Sequence, residues 1–289
     1  MHQLKEEAML HRVLIMLFCL CIAPASADTL NTPSGLVTQA MVYGESSKPL
    51  ALVFIHGKGS EPDKPDYKSL YAKLNEAGYQ VIAPRMPWAG EHWAGTLSQA
   101  MEVIDAAVDL AAKSGRKVVV GGHSYGGMAA ILYRPANPPA AMAGRFMLAP
   151  AGMIDLAKKS QDAVAPAIAE AKQMLAEGRS RETTRFSVTN VGKGNRVFTD
   201  TVIATPEAML SYHDVAVFPS TRAALAQIRQ PVFWAVGEGD PIPYNRQPLY
   251  GLIPADAMNV YRELPGGHVD MLGQTAEPLV DWLGKLGLR

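Results

Sequence analysis

Apolar and polar positions along this chain follow two rhythms that alternate. The segment "PLALVFIHG" (residues 49–57) is apolar at almost every position and ends on glycine, which predicts a strand buried on both faces. In "DYKSLYAKLNEAGY", Tyr67, Leu70, Tyr71, Leu74 and Ala77 recur at helical spacing, which predicts an amphipathic helix stopped by Gly78. "YQVIAPRMP" is a second short strand, closed by prolines. "LSQAMEVIDAAVDLAAKSG" returns to the helical period, with Met101, Ile104, Val108 and Ala111 on one stripe. The strand "KVVVGG", the helix "YGGMAAILYR" and the strand "RFMLAPAG" follow. The rhythm resumes at "QPVFWAVGEGD" and "NVYRELPGGH", each a strand and turn, and closes with the helix "EPLVDWLGKLGL". Strands that alternate with helices predict an α/β fold, with a mostly parallel central sheet and helices on both faces.

Two intervals break the rhythm. Residues 152–229 hold an Ala-rich helical piece, "DAVAPAIAEAKQMLAEG", and a polar stretch of little periodicity, "RSRETTRFSVTNVGKGNRVF". The interval reads as a cap or lid inserted above the sheet, since a structureless loop of this length is unusual in a compact domain unless it binds or covers something. At the other end, "HRVLIMLFCLCIAPASA" has a basic start, an apolar run from Val13 to Ile22 and a small-x-small end at Ala25-Ser26-Ala27. That is the layout of a secretory signal peptide, and the alternative is a buried N-terminal helix. The apolar run is too short to span a bilayer comfortably, so no stable membrane anchor is expected. Glu6-Glu7 is foreign to such a leader, and a start at Met9 would remove it. The expected division is therefore 1–27 as leader and 28–289 as one α/β domain with 152–229 as its cap insertion, secreted or periplasmic. Both cysteines, Cys19 and Cys21, lie in the leader, so the mature chain would have no disulfide and no catalytic thiol.

Composition narrows the partners. Of the 289 residues 48% are hydrophobic and 19% charged, as in a packed globular protein and unlike a disordered one. Twenty-seven basic and 27 acidic residues give zero formal net charge with no basic tract, so nucleic acid is not an expected partner. No GxxxxGK[ST] phosphate loop and no His/Cys cluster with zinc spacing is present; no metal or other cofactor is expected. The sequence carries no signal of oligomeric state.

The chemistry concentrates at Gly122-His123-Ser124-Tyr125-Gly126, a G-x-S-x-G between a predicted strand and a predicted helix. Glycines on either side of a serine allow a sharp turn that holds the hydroxyl out at the carboxyl edge of the sheet. The helix N-terminus behind it offers free N–H groups to a developing oxyanion. The bland alternative is a glycine-rich turn with an ordinary serine. A serine hydroxyl needs a base, and histidine is the usual one because its ordinary pKa of about 6.5 leaves it mostly neutral at pH 7. Of the histidines beyond the leader, His268 sits in a glycine turn after a late strand and is favoured. His123 neighbours the serine, but its side chain should point away from the hydroxyl. A carboxylate fixes the base's tautomer. Glu238, Asp214, Asp240 and Asp270 are candidates, and Asp240 is favoured because it follows the strand "VFWAV" and precedes Pro241. Trp88, His92 and Trp93 in "PRMPWAGEHWAG" either line a substrate pocket or cover the core.

"GHSYGG", "HGKG" with His56, Gly57, Lys58 and Gly59, and the late pair "GEGDPIP" and "PGGHVD" resemble the α/β-hydrolase family, over roughly residues 49–285. The resemblance implies the chain order nucleophile, acid, histidine, which Ser124, Asp240 and His268 satisfy. It implies an oxyanion hole built from the backbone N–H groups of Tyr125 and Lys58, and a loop-ordering role for His56. It implies hydrolysis of a small-molecule ester or acyl substrate through an acyl-enzyme. A peptidase, thioesterase or acyl transferase would use the same three residues, and a binding protein on the same scaffold would not use them chemically. The serine disfavours relatives with aspartate at this turn, such as haloalkane dehalogenases and most epoxide hydrolases. The lack of a mature cysteine sets aside dienelactone hydrolases.

Overall fold

The computed structural model describes residues 26–45, 47–113, 115–135 and 142–287. The expected leader lies outside the described residues except for Ser26 and Ala27. Along the chain run β1 (Ser26–Asn31), β2 (Val37–Tyr43), β3 (Leu50–Ile55), α1 (Pro65–Glu76), β4 (Gln80–Pro84), α2 (Leu97–Ala112), β5 (Lys117–His123), α3 (Tyr125–Leu132) and β6 (Met142–Leu148). Then come α4 (Lys158–Ala176), β7 (Thr184–Val191), β8 (Val197–Ala204), α5 (Pro206–His213), α6 (Thr221–Ala226), β9 (Val232–Gly237), α7 (Gln247–Tyr250), β10 (Val260–Leu264) and α8 (Leu272–Gly287).

Eight strands form one sheet in the order β1-β2-β4-β3-β5-β6-β9-β10. From β4 to β10 every neighbouring pair is parallel. β1 and β2 add an antiparallel edge. The central strands bury both faces, as their unbroken apolar runs require. In β3, Ala51, Val53 and Ile55 face the core shared with α2 and α3, while Leu50, Leu52 and Phe54 face the core shared with α1 and α8. The α2 stripe buries Ile104, Val108 and Ala111, and Met101 stays partly exposed at its margin. Thr96 caps that helix, with Gln99 closing a reciprocal capping box.

Three stretches differ from the sequence expectation. Residues 28–48 suggested no element, yet β1 and β2 pair along their whole length. β1 is the edge strand and β2 lies between it and β4; both are largely exposed or half-buried and lack the continuous apolar run that marks a central strand. The final helix starts at Leu272, ahead of Glu277, and carries Pro278 inside it. Residues 152–229 hold a structured insertion: α4, a β7–β8 hairpin, α5 and α6. Phe186 and Val188 alternate with exposed Arg185 and Ser187, and the turn at Gly194 and Asn195 has positive φ at both residues. This hairpin signature sat inside the stretch read as aperiodic.

Candidate active site

The turn after β5 forces Ser124 to φ 56° and ψ −117°, a strained conformation for a non-glycine residue. The turn is held by its own backbone: Ser124 N–H donates to the Leu148 carbonyl at 2.9 Å, and the Ser124 carbonyl accepts from Met128 and Ala151, each at 3.1 Å. Gly122 and Gly126 are required for packing, because a Cβ on either would run into the carbonyl oxygen of Ile55 at the end of β3. Strand and helix can therefore approach closely only without those side chains.

His268 follows β10 and Asp240 follows β9, and parallel pairing of these two strands brings both turns to one edge. His268 Nε2 lies 3.0 Å from Ser124 Oγ, and its Nδ1 lies 3.0 Å from Asp240 Oδ2. A carboxylate only accepts, so Nδ1 carries the proton and Nε2 is left to accept from the serine hydroxyl. Asp240 is buried, and it also accepts from Ile242 N–H and the Asn245 side-chain amide, each at 2.9 Å. Burial pushes its pKa up, but the hydrogen bond and charge of His268 and these two further donors outweigh burial and hold it below the ordinary aspartate value. The other acid candidates are elsewhere. Glu238 is exposed, Asp214 pairs with Lys172 at 2.7 Å, and exposed Asp270 accepts from Gly267 N–H.

Tyr125 is the first residue of α3, so its N–H has no partner within the helix. The Lys58 N–H belongs to the same peptide unit as the Gly57 carbonyl. Buried His56 accepts from Met86 N–H at Nε2 (3.0 Å), so its Nδ1–H donates to that carbonyl at 2.8 Å. Among the described residues no peptide bond is cis, so fixing the carbonyl turns the Lys58 N–H the opposite way. Burial lowers the His56 pKa to about 4, so the ring holds its neutral tautomer.

Ser124, His268, Lys58 and Tyr125 line a cavity of about 280 Å³. Its far wall comes from the insertion, where the hairpin supplies Asn190, Val191, Phe198 and Asp200, and Ser160 comes from α4. Pro241, Ile242 and Tyr244 complete a mostly apolar lining. The Lys58 ammonium pairs with Asp200 across the cleft.

Trp88, His92 and Trp93 do not line this cavity. Trp88 and Trp93 are buried behind it, edge-on to the Tyr125 ring at 5.9 and 6.0 Å. Trp88 also donates to the His56 carbonyl. Large rings so placed gain more by covering the core than by facing solvent, and they fix Tyr125 from behind. His92 is exposed, bridged to Ile203 of β8, with Glu91 and Trp93 backbones hydrogen-bonded to Ile203. Asn245 gave no signal in the sequence, and for the hairpin residues the one signal was the alternation at Phe186 and Val188 with the turn at Gly194 and Asn195. Asn245 reaches Asp240 only through the fold of the 241–244 loop. Among the described residues no group of His, Cys, Asp and Glu is placed to hold a metal ion.

Residues 52–282 match the model of the alpha/beta hydrolase family. None of the curated proteins compared with the chain matches it. Among solved structures, Est1E from Butyrivibrio proteoclasticus aligns at 18% identity over 92% of this chain and 100% of its own, with a TM-score of 0.64. Another Est1E structure holds ferulic acid. A monoacylglycerol lipase from Paleococcus ferrophilus aligns at 20% identity over 86% and 99%, also with a TM-score of 0.64. The Pyrococcus furiosus esterase Pf2001 aligns at 14% identity over 90% and 88%, with a TM-score of 0.59.

Proposed function

Because the chain belongs to the alpha/beta hydrolase family, we propose that it is a serine hydrolase that cleaves a carboxylic ester through an acyl-enzyme. The observation that carries this reading is His268, hydrogen-bonded to Ser124 on one side and Asp240 on the other at the mouth of an apolar cavity. The Ser124 proton passes to His268 Nε2 as the oxygen attacks the acyl carbon. Asp240, held ionised, keeps the Nδ1 tautomer and stabilises the imidazolium. The developing oxyanion rests on the Lys58 and Tyr125 N–H groups, each such donor worth about 2.7–4 kcal/mol. His268 then protonates the leaving alkoxide, and the alcohol departs. Water, deprotonated by the same nitrogen, attacks the acyl carbon, and the acid leaves as Ser124 regains its proton. No step requires a cofactor.

An activated-ester panel of graded acyl length, with feruloyl, thioester and peptide substrates beside it, tests the reading. Ester turnover is expected, falling by several orders of magnitude in Ser124→Ala, since only about 10³–10⁴ over water survives loss of such a serine. A fluorophosphonate should label the native protein and spare the variant. Ester turnover undiminished in folded Ser124→Ala would overturn the assignment.

We further propose, from the basic, apolar and small-x-small succession of residues 11–27, that the protein is secreted or periplasmic with the leader removed after Ala27. Cleavage there would keep Asp28–Asn31 of β1 and their pairing with residues 37–40 of β2. Mass analysis of the exported protein should find Asp28 first.

A further inference from the structure

Three loops must keep fixed spacing for the chemistry above: the oxyanion loop at Gly57-Lys58, the Ser124 turn and the His268 loop. A buried chain of hydrogen bonds joins all three. His123 Nε2 lies 2.8 Å from the backbone carbonyl of His268. A carbonyl only accepts, so Nε2 carries the proton. Burial, aided by the neighbouring His268, lowers the His123 pKa to about 3, so the ring is neutral and Nδ1 offers a lone pair. The Tyr67 hydroxyl, 3.0 Å away, donates to it. The hydroxyl oxygen in turn accepts from Gly57 N–H at 3.1 Å. Every donor and acceptor is thereby assigned, from Gly57 through Tyr67 and His123 to His268. Both side chains are buried, and neither lines the cavity.

Resting on the serine-hydrolase reading, we propose that Tyr67 and His123 are positioning residues that act as one brace between the oxyanion loop and the loop of the catalytic base. His56 fixes the peptide that carries the Lys58 N–H, and Tyr67 fixes the peptide before it. His123 precedes Ser124 directly and grips the backbone of His268. Cutting the brace lets the oxyanion donors and the base drift relative to each other while substrate contacts stay in place. Misplacement of about 1 Å costs on the order of 10²-fold in rate.

The test uses Tyr67→Phe, His123→Leu, the double variant and His123→Gln. Phe keeps the ring packing against Phe54 and Tyr71 and removes only the hydroxyl. Each of the first two should lower kcat by about 10–100-fold with KM within about threefold. The double variant should be no worse than the poorer single, because a chain cut twice is no more broken than a chain cut once. His123→Gln keeps one donor and one acceptor and should recover most of the loss. Amide hydrogen exchange should quicken at residues 56–59 and 266–269 together in both single variants. Normal kcat, multiplicative losses, or exchange that quickens at one loop only would overturn the brace. A native protein inert on every ester, yet showing the joint exchange response, would overturn the serine-hydrolase reading and leave the brace standing.

Discussion

At the residue scale, two acids stand two positions apart and send their carboxylates to different places. Glu238 is exposed at the end of β9, whereas Asp240 is buried and receives three donors. Asp240→Asn presents an amide that can donate to His268 Nδ1, which would then carry the lone pair and leave Nε2 protonated. Turnover of an activated ester should fall by about 10⁴-fold, as expected when the base adopts the wrong tautomer. Glu238→Gln should stay within about threefold, as an exposed substitution does. Measuring both on one ester decides the matter, and the reverse ranking would move the acid's role to Glu238. Gly126 gives a comparable contrast in folding: a methyl there meets the Ile55 carbonyl, so Gly126→Ala should disrupt the turn that its neighbour Ser124 occupies.

At the element scale, the β7–β8 hairpin supplies most of the cavity's far wall. It is antiparallel and set apart from the main sheet, and it reaches the cavity through Asn190, Val191, Phe198 and Asp200. Phe198 is half-buried and does not belong to the main core, so removing its ring changes the pocket more than the fold. Phe198→Ala should shift the ratio of kcat/KM for bulky against short esters by roughly tenfold or more, the scale of a change of one or two methylenes in a pocket. Comparing a butyrate and an octanoate ester on both proteins checks it. An unchanged ratio would mean that the hairpin covers the cleft without choosing substrates. The sheet itself should not register the change.

At the scale of the whole molecule, three of the described histidines are buried neutral. Burial is the leading cause for each, and it lowers His56 to about 4 and His123 and His213 to about 3. The unfolded chain protonates them near 6.5. Between pH 6.5 and about 4 the unfolded state therefore binds more protons, and stability must fall as pH falls through that window. Each histidine contributes a slope of up to about 1.4 kcal/mol per pH unit there. His213 stacks on Trp93 at 5.5 Å, and among the described residues its Nε2 has no hydrogen-bond partner. His213→Phe should flatten the acid slope by about one proton, read from urea midpoints between pH 4.5 and 7. A slope equal to that of the native protein would show that His213 takes no part in the acid transition.

Local pattern determined the α/β rhythm, the central strands and the glycine-flanked serine turn, because each depends on neighbours within a few residues. Continuous apolar runs read as doubly buried strands, and Gly122 and Gly126 mark a close approach whatever the partner is. That Ser124, Asp240 and His268 each follow a strand was legible for the same reason, whereas their shared order as nucleophile, acid and histidine was implied by the resemblance to the α/β-hydrolase family. Tertiary structure alone decided the rest. β1 and β2 exist because an edge of the sheet accepts them, not because their own residues alternate strongly. Trp88 and Trp93 lie behind Tyr125 because that side of the sheet needed covering, while His92 was drawn to the hairpin by backbone pairing. Asn245 meets Asp240, and Tyr67 meets His123, only after residues far apart in the chain have been brought together. Such contacts leave no periodicity in the sequence, because the burial that makes them strong is created by the fold itself.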